Sequence, residues 1–170
     1  IKTPKGERCF ILKCFLSFLY IHVKIYVMKI KEILEYGKNN LIEKEEPLRL
    51  SKMLLKNLLN VNDSYLVINN EEELDLNAEL KFKEGINLLK SGMPLQYITN
   101  IQEFMKLDFY VDSNVLIPQP DTEVLVEEIL NILGEAKEKR VLDLCTGSGA
   151  IGVSIAKYAK SQVIMSDISK

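Results

Sequence analysis

The stretch DLCTGSGAIG, residues 143–152, carries the residue types of a loop that binds a small molecule. Counted from Gly147 it has the spacing G-x-G-x-x-G, in which glycines permit positive φ angles and let a ligand approach the backbone. The apolar run Val141–Leu144 before the loop predicts a strand, and the periodic segment after it predicts a helix from Gly149 to Ala159. The N-terminus of that helix would offer free N–H groups and partial positive charge.

Two carboxylates flank this loop and bear on the choice of ligand. Asp167 lies 20 residues beyond Gly147, after a second predicted strand at 163–165, where a carboxylate can accept hydrogen bonds from both hydroxyls of a ribose. NAD and S-adenosylmethionine both satisfy that pattern. Asp143, at the end of the first strand, would repel a pyrophosphate but favours the cationic groups of S-adenosylmethionine. Capping the loop amides is the simpler role for Asp143, and the two roles are compatible. The residues favour S-adenosylmethionine, and a P-loop is disfavoured because its Gly-Lys-Ser/Thr ending is missing.

The elements that precede the loop fall into two groups. Residues from Met28 to about Gly92 have helical periodicity on one face only, which predicts a small bundle. The predicted buried stripes are Ile30, Ile33, Leu34 and Leu41; Leu50, Leu54, Leu55, Leu58 and Leu59; and Ala78, Phe82, Ile86 and Leu89. Ser64 is the expected N-cap of a short helix through Tyr65, and Gly92 with Pro94 is the expected helix stop.

Alternation then replaces helical periodicity. Residues 107–111 predict a strand, Asp112-Ser113-Asn114 a turn and residues 115–117 a second strand, so a β-hairpin should link two modules. Asp121 is the expected N-cap of a helix that ends at Gly134. Its predicted buried stripe is Leu125, Ile129, Ile132 and Leu133. The strand, helix and strand that follow predict a βαβ unit with parallel strands, so the fold class is α/β with an N-terminal helical bundle.

Composition narrows the range of functions. The chain has 170 residues, 47% of them hydrophobic, and a net charge of −2, as expected of a core-forming chain. A reducing cytosol is the compartment expected by default. The first 27 residues carry five basic side chains and one acidic one, so the remainder is acidic and nucleic acid is not an expected partner. Lys13 and Lys24 interrupt the apolar run in that segment. We therefore interpret residues 1–27 as an upstream extension outside the native protein rather than a membrane anchor.

Two motifs resemble a known family, the bacterial release-factor glutamine methyltransferases of the HemK/PrmC group. The segment VLDLCTGSGAIGVSIA, residues 141–156, is similar to the cofactor loop of class I methyltransferases in general. The segment VLIPQPDTEVLVE, residues 115–127, is close to the more specific V-L-I-P-R-P-D-T-E of this family. Residues 92–111 resemble the family's linker and hairpin, and the bundle from Met28 resembles its N-terminal domain. The resemblance covers residues 28–170.

The resemblance implies a function and a set of site residues. It implies transfer of a methyl group from S-adenosylmethionine to a glutamine amide of a peptide chain release factor in the cytoplasm, by in-line displacement without a metal and without a membrane partner. The implied cofactor-binding residues, which include the two carboxylates, are Asp143, Cys145, Thr146, Gly147, Ser148, Gly149 and Asp167. Residues 118–123 would close over the methionine end of the cofactor.

The resemblance also implies a division of the chain. Residues 28–95 would be a helical substrate-binding domain, 96–120 a hairpin linker and 121–170 the start of a class I, Rossmann-like methyltransferase domain, truncated after its second strand. The family's N-P-P-Y motif, which holds the substrate amide, is expected well beyond Asp167, and the 170 residues contain no N-P-P. No catalytic residue is therefore assigned, and this chain by itself is expected to be inactive.

Three positions depart from the family pattern. Cys145 stands where many members have glycine and should be tolerated if its φ is negative. Gln119 replaces the usual arginine, which removes a fixed charge near the cofactor. Asn100 replaces a glycine, and asparagine tolerates the left-handed conformation better than most residues.

Other functions remain open from the sequence. The chain could belong to an enzyme that methylates a ribosomal-protein glutamine or another amide or amino group, or it could be a non-catalytic binding module. An NAD-dependent oxidoreductase is less expected, because Asp143 would repel the pyrophosphate of NAD.

Overall fold

A helical bundle forms the first part of the chain. The computed structural model describes residues 27–134, 139–159 and 161–168. The bundle helices are α1 (Ile30–Asn40), α2 (Pro47–Leu59), α3 (Asp63–Ile68), α4 (Leu76–Lys90) and α5 (Leu95–Thr99). The first and last predicted stripes are fully buried, and in the middle one Leu54 and Leu55 are buried with the other leucines packed against them. The predicted bundle is therefore confirmed, whereas the interpretation of residues 1–27 lies outside the described residues.

Short polar side chains set the ends of these helices. The Asn62 side chain accepts a hydrogen bond from the Tyr65 N–H at 2.9 Å, so α3 is capped by Asn62 and the prediction of Ser64 is wrong by two residues. Asn62, Asp63 and Ser64 can each act as a helix N-cap. Asn62 is the N-cap because its side-chain oxygen reaches the amide of the third helical residue. Helix α4 stops as predicted, because Gly92 has φ +98° and the Met93 N–H bonds back to Leu88.

The β-hairpin lies earlier in the chain than predicted. It pairs β1 (Ile101–Phe104) with β2 (Leu107–Tyr110), and its two-residue turn is Met105-Lys106 with both φ angles positive. Residues 115–117 form no strand, so the second predicted strand is wrong. The predicted turn at 112–114 is present, since the Asn114 N–H donates to the Asp112 carboxylate. A turn of this geometry is usually marked by Asn-Gly, and Met-Lys carries no such mark.

A βαβ unit follows, as predicted. Helix α6 (Pro120–Leu133) leads into β3 (Arg140–Leu144), helix α7 (Ala150–Ala159) and β4 (Gln162–Ser166). The two strands are parallel, with Asp143 opposite Met165. Helix α7 covers one face of this sheet, and α6 packs on α7. Their shared core also holds the hairpin, through Phe104, Phe109, Val126, Leu133, Ala150 and Ile155.

Helix α6 differs from its prediction in its cap and in its buried face. Gln119 is the N-cap and Pro120 the first helical residue, so Asp121 lies in the first turn and is not the cap. Within the predicted stripe Leu133 is buried and Ile129 packs on the core. Leu125 and Ile132 are 51% and 72% exposed, and Val126 is buried in their place. Periodicity could not choose, because the helix is apolar on two adjacent faces and only the contact with α7 selects one.

The outer face of the parallel sheet is apolar and uncovered by the described residues. Leu142 and Ile164 are paired neighbours on it and are 58% and 53% exposed, and Leu144 is also exposed. The inward residues Val141 and Val163 pack against the core under α7. Parallel sheets normally bury both faces, so this surface has the character of an interior. No helix among the described residues is long and apolar enough to cross a membrane.

Candidate functional site

The glycine loop joins the end of β3 to the start of α7 and is held in a left-handed backbone. Cys145, Gly147 and Gly149 have φ angles of +59°, +55° and +79°. The positive φ expected of the two glycines is confirmed, whereas the negative φ on which tolerance of Cys145 was conditional is not found. The loop needs three left-handed residues to turn from strand to helix, and only two of them are glycines. Asn100, at the end of α5, has φ +58° as its replacement of glycine predicts.

Asp143 lies beneath the loop and holds it in place. Its Oδ2 accepts hydrogen bonds from the Thr146 hydroxyl at 2.6 Å and from the Gly152 N–H at 2.9 Å. Gly152 is needed there, because a Cβ on it would lie 2.6 Å from the Met165 sulfur and 2.9 Å from the same carboxylate oxygen. Asp143 thus bonds a loop hydroxyl and an amide in the first turn of α7, which resembles the simpler of its two predicted roles but involves no loop amide.

Asp167 lies on the other side of the loop, at the end of β4. Its Oδ2 accepts a hydrogen bond from the Gly147 N–H at 2.8 Å. The Cβ position of Gly147 has no atom within 4 Å, so the loop faces open space at this point. The 20-residue spacing between these two residues thus brings a carboxylate against the loop, as the parallel strands require.

A cleft in two adjoining parts lies in front of the loop. The inner cleft, of about 190 Å³, is lined by Phe104, Leu116, Ile117, Pro118, Gln119, Thr122, Cys145, Thr146, Gly147, Ser148, Ala150 and Ile151. The outer cleft, of about 550 Å³, is lined by Tyr110, Asp112, Asn114, Val115, Leu116, Gly147, Ser148 and Asp167. The two parts share Leu116, Gly147 and Ser148, and together they have the size of a cofactor site.

The structure brings five of the seven predicted site residues to this cleft. Cys145, Thr146, Gly147 and Ser148 line its inner part, and Asp167 lines its outer part. Gly149 is buried where the loop enters α7, and Asp143 is covered by the loop, so neither lines the cleft.

Sequence reasoning missed most of the opposite wall. Phe104 and Tyr110 come from the hairpin, and Leu116 comes from the segment before α6. The resemblance did point to residues 118–123, of which Pro118, Gln119 and Thr122 line the cleft. The Gln119 side chain donates to the Ile117 carbonyl at 3.0 Å and so bonds to its own segment. Leu116 lies within the motif at residues 115–127, which was the one local signal available for this wall.

The charged lining of the cleft is acidic. Asp112 and Asp167 line its outer part, and no lysine or arginine among the described residues lines either part. Carboxylates repel a pyrophosphate and attract a cation. Among the described residues, no three His, Cys, Asp or Glu side chains are grouped so as to hold a metal ion.

These features define a class of protein. A parallel βαβ unit with a glycine loop at the start of its helix and a carboxylate at the end of its second strand is a Rossmann-like cofactor-binding unit.

Comparison with known proteins gives one matching domain and several similar chains. The model described as the PrmC N-terminal domain matches residues 32–99. A release factor glutamine methyltransferase of Clostridium acetobutylicum is 46% identical over 145 residues, which cover 84% of this chain and 51% of that protein. Those of Borreliella burgdorferi and Leptospira interrogans are 37% and 41% identical, over 84% and 71% of this chain and 48% and 43% of theirs.

Over most of its length the chain is similar to release factor glutamine methyltransferases, and its residues 32–99 match the PrmC N-terminal domain. It spans about half the length of the curated relatives that it matches.

Proposed function

We propose that this chain provides the S-adenosylmethionine site and the helical substrate module of an enzyme that methylates the N5 of a glutamine in peptide chain release factors. The relatives named above carry that activity in their names. The observation that carries the cofactor assignment is the acidic cleft in front of the glycine loop, with Asp112 and Asp167 as its charged lining residues. The proposal places the protein in the cytoplasm, with neither nucleic acid nor a membrane as a direct partner.

The residues of the cleft fit S-adenosylmethionine. When bound, this cofactor supplies a methyl group on a cationic sulfur. The open space at Gly147 admits a ligand close to the backbone, and the helix N-terminus behind it suits a carboxylate or ribose oxygen. Asp167 is placed to accept ribose hydroxyls, and the apolar walls at Phe104 and Leu116 suit the flat base and the aliphatic part.

Asp143 has an indirect part in this proposal. Its hydrogen bonds to Thr146 and Gly152 fix the loop whose amides face the ligand. Its negative charge still lies close behind the loop, which favours a cationic ligand over a pyrophosphate. The contribution of these residues is positioning, which by itself can supply several kcal/mol, roughly 7–11 in the best cases, towards a methyl transfer.

The helical module is proposed to hold the protein substrate. A third cleft, of about 600 Å³, lies between α2, α5 and the hairpin. Its polar lining includes Lys56 and Asn57 on one side and Glu103 and Asp108 on the other. A surface of mixed charge beside the hairpin suits a folded protein better than a small molecule.

The cofactor part of the proposal is tested by removing one carboxylate. Asp167→Ala should weaken binding of S-adenosylhomocysteine roughly tenfold, the loss expected for a charged hydrogen bond to ribose. Glu128→Ala, an exposed carboxylate of α6 outside residues 118–123, is the matched control and should bind as the unaltered chain does. Equal affinity of the two variants would remove Asp167 from the site.

The substrate part is tested by binding. The chain immobilised on a sensor should bind a release factor and not an unrelated acidic protein of similar size. Binding of a ribosomal protein and not of the release factor would assign the chain to the other protein-glutamine methyltransferase considered. Because the 170 residues contain no N-P-P, methyl transfer by this chain alone should be undetectable.

A further inference from the structure

The tip of the β-hairpin is held by side chains from two different helices. The Met105 N–H donates to the Glu123 carboxylate of α6 at 2.6 Å. The Met105 carbonyl accepts from the Tyr158 hydroxyl of α7 at 2.5 Å. Both backbone polar groups of one turn residue are thus satisfied from outside the hairpin.

This turn residue adjoins the wall of the cleft. Phe104, which precedes Met105, lines the inner cleft and packs edge-on against Phe109 with ring centroids 6.2 Å apart. Thr122, which precedes Glu123, lines the same cleft. Helix α7, which carries Tyr158, begins at the glycine loop. The two hydrogen bonds therefore tie α6 and α7 to one turn residue beside Phe104, although neither Glu123 nor Tyr158 lines the cleft itself.

The other end of the hairpin is tied to the helical bundle and the outer cleft. The Asn100 side chain donates to the Val111 carbonyl at 3.0 Å. The Tyr97 hydroxyl donates to the Val115 carbonyl at 2.8 Å, and Val115 lines the outer cleft. The hairpin is thus fixed at its base by the bundle and at its tip by the two helices of the cofactor unit.

We propose that Glu123 and Tyr158 are positioning residues that clamp the hairpin tip and so set the shape of the cofactor cleft. The inference rests on the proposed function, because it takes the cleft as the cofactor site. The hairpin is already held in the core by Phe104 and Phe109, which are buried, so the clamp is not needed to keep it folded. It fixes where the Phe104 ring stands relative to the glycine loop.

The test compares three variants in the full chain. Glu123→Ala and Tyr158→Phe each remove one hydrogen bond and should weaken S-adenosylhomocysteine binding by calorimetry roughly five- to tenfold. Glu123→Gln keeps an oxygen acceptor for the Met105 N–H and should restore affinity to within about twofold of the unaltered chain. Glu128→Ala, an exposed carboxylate on the same helix, is the matched control and should change nothing.

A second measurement distinguishes positioning from general destabilisation. Hydrogen exchange of the Met105 amide should be faster in Glu123→Ala and unchanged in Glu128→Ala, while the amides of β3 and α7 keep their protection. The double variant Glu123→Ala/Tyr158→Phe should lose less affinity than the product of the single losses, since both act on one residue, Met105.

The outcomes separate the two proposals. If the unaltered chain binds no S-adenosylhomocysteine, the proposed function fails and the positioning role fails with it. If the unaltered chain binds but Glu123→Ala and Tyr158→Phe bind equally well, only the clamp is refuted. If Glu123→Ala does not fold, the two other variants still test the clamp. The proposal then requires weakened binding by Tyr158→Phe and normal binding by Glu123→Gln.

Discussion

Cys145 has a backbone conformation that side chains rarely adopt. Its φ is +59°, in the loop between β3 and α7, and its side chain is exposed. A non-glycine residue in this region costs on the order of 1 kcal/mol, whereas glycine adopts it freely but loses more entropy on folding. The strain at Cys145 is therefore partly offset, because a cysteine loses less backbone entropy on folding than a glycine would.

Substitution at this position should reveal the strain. Cys145→Gly should leave the free energy of unfolding unchanged or raise it by up to about 1 kcal/mol, and Cys145→Val should lower it by more than about 1 kcal/mol because a β-branched residue fits this conformation worst. Urea unfolding measures both. Cys145→Ala, which keeps the strain and removes only the thiol, should match the unaltered chain. A Val variant as stable as the Gly variant would contradict the assigned backbone.

Glu79 is a buried carboxylate in α4 with two partners. It bonds to the Lys83 ammonium at 2.5 Å and accepts the Met28 N–H at 3.0 Å. Lys83, and after it the Met28 N–H, hold the pKa of the Glu79 carboxyl below its ordinary value. A carboxyl whose pKa is lower in the folded state stabilises the fold above its unfolded-state pKa, about 4.3, and loses that contribution as the pH falls through the folded-state pKa.

The pH dependence of stability should follow from this sign. The free energy of unfolding of the unaltered chain should fall as the pH drops below about 4.3, and Glu79→Gln should flatten that fall while lowering stability at neutral pH. Urea unfolding across this range measures the difference. Glu84→Gln, an exposed position on the same helix, is the control and should keep the slope of the unaltered chain. Identical slopes for the unaltered chain and both variants would show that Glu79 does not contribute to the pH dependence of stability.

At the residue scale the sequence located the chemistry but not all of its roles. Gly147, Gly149 and Asp167 could be placed because their positions depend on spacing along one βαβ unit. The left-handed Cys145 could not, since a cysteine carries no conformational signal. The cleft wall at Phe104 could not be predicted either, because the packing of the hairpin against the glycine loop cannot be inferred from the local sequence pattern.

At the scale of elements, α1 and α2 cross where both have small residues. A Cβ on Gly37 would lie 2.5 Å from the Ser51 hydroxyl oxygen and 3.0 Å from the Phe82 ring. Ser51 is buried and its hydroxyl donates to the Pro47 carbonyl at 2.8 Å, so it has no room to move away. The absence of a side chain at Gly37 therefore sets the distance between these helices.

Adding one methyl group at this crossing should be costly. Gly37→Ala should lower the free energy of unfolding by about 1–2 kcal/mol, since overpacking outweighs the roughly 1 kcal/mol gained in helix propensity. Adding Ser51→Gly should cost less in the Gly37→Ala background than in the unaltered chain, because it returns the space. Purely additive losses in this double-mutant cycle would show that the two positions do not touch.

Prediction of the elements succeeded where one pattern had one solution. The predicted stripes of α1 and α4 are the faces that these helices bury in the bundle. Helix α6 is apolar on two faces, and the choice of Val126 over Leu125 depends on α7. The hairpin was misplaced because its turn, Met105-Lys106, uses left-handed residues that sequence statistics do not associate with turns.

At the scale of the whole molecule, the described chain has two hydrophobic cores. One lies within the bundle α1–α5, and the other joins the hairpin, α6 and the βαβ unit. The division at residues 95 and 120 stays a prediction, because Ile98 packs on the first core while Phe104 and Phe109 belong to the second. The outer face of the parallel sheet, with Leu142 and Ile164 side by side, is covered by neither core.

An uncovered apolar face should make this chain associate and bind hydrophobic dyes. Leu142→Lys with Ile164→Lys should reduce both anilinonaphthalene sulfonate fluorescence and self-association by light scattering, and should change the free energy of unfolding by less than about 0.5 kcal/mol per position. Val141→Lys, on the covered face, is the control and should cost more than about 2 kcal/mol. Strong destabilisation by the outer pair would mean that the face is buried.

The class of cofactor is the central claim and can be measured directly. Calorimetric titration of the purified chain with S-adenosylhomocysteine and, separately, with NADH compares the two ligands that the glycine spacing allows. The acidic cleft predicts saturable binding of S-adenosylhomocysteine, displaced by S-adenosylmethionine, and no heat with NADH. Tight binding of NADH with no response to S-adenosylhomocysteine would contradict the methyltransferase assignment.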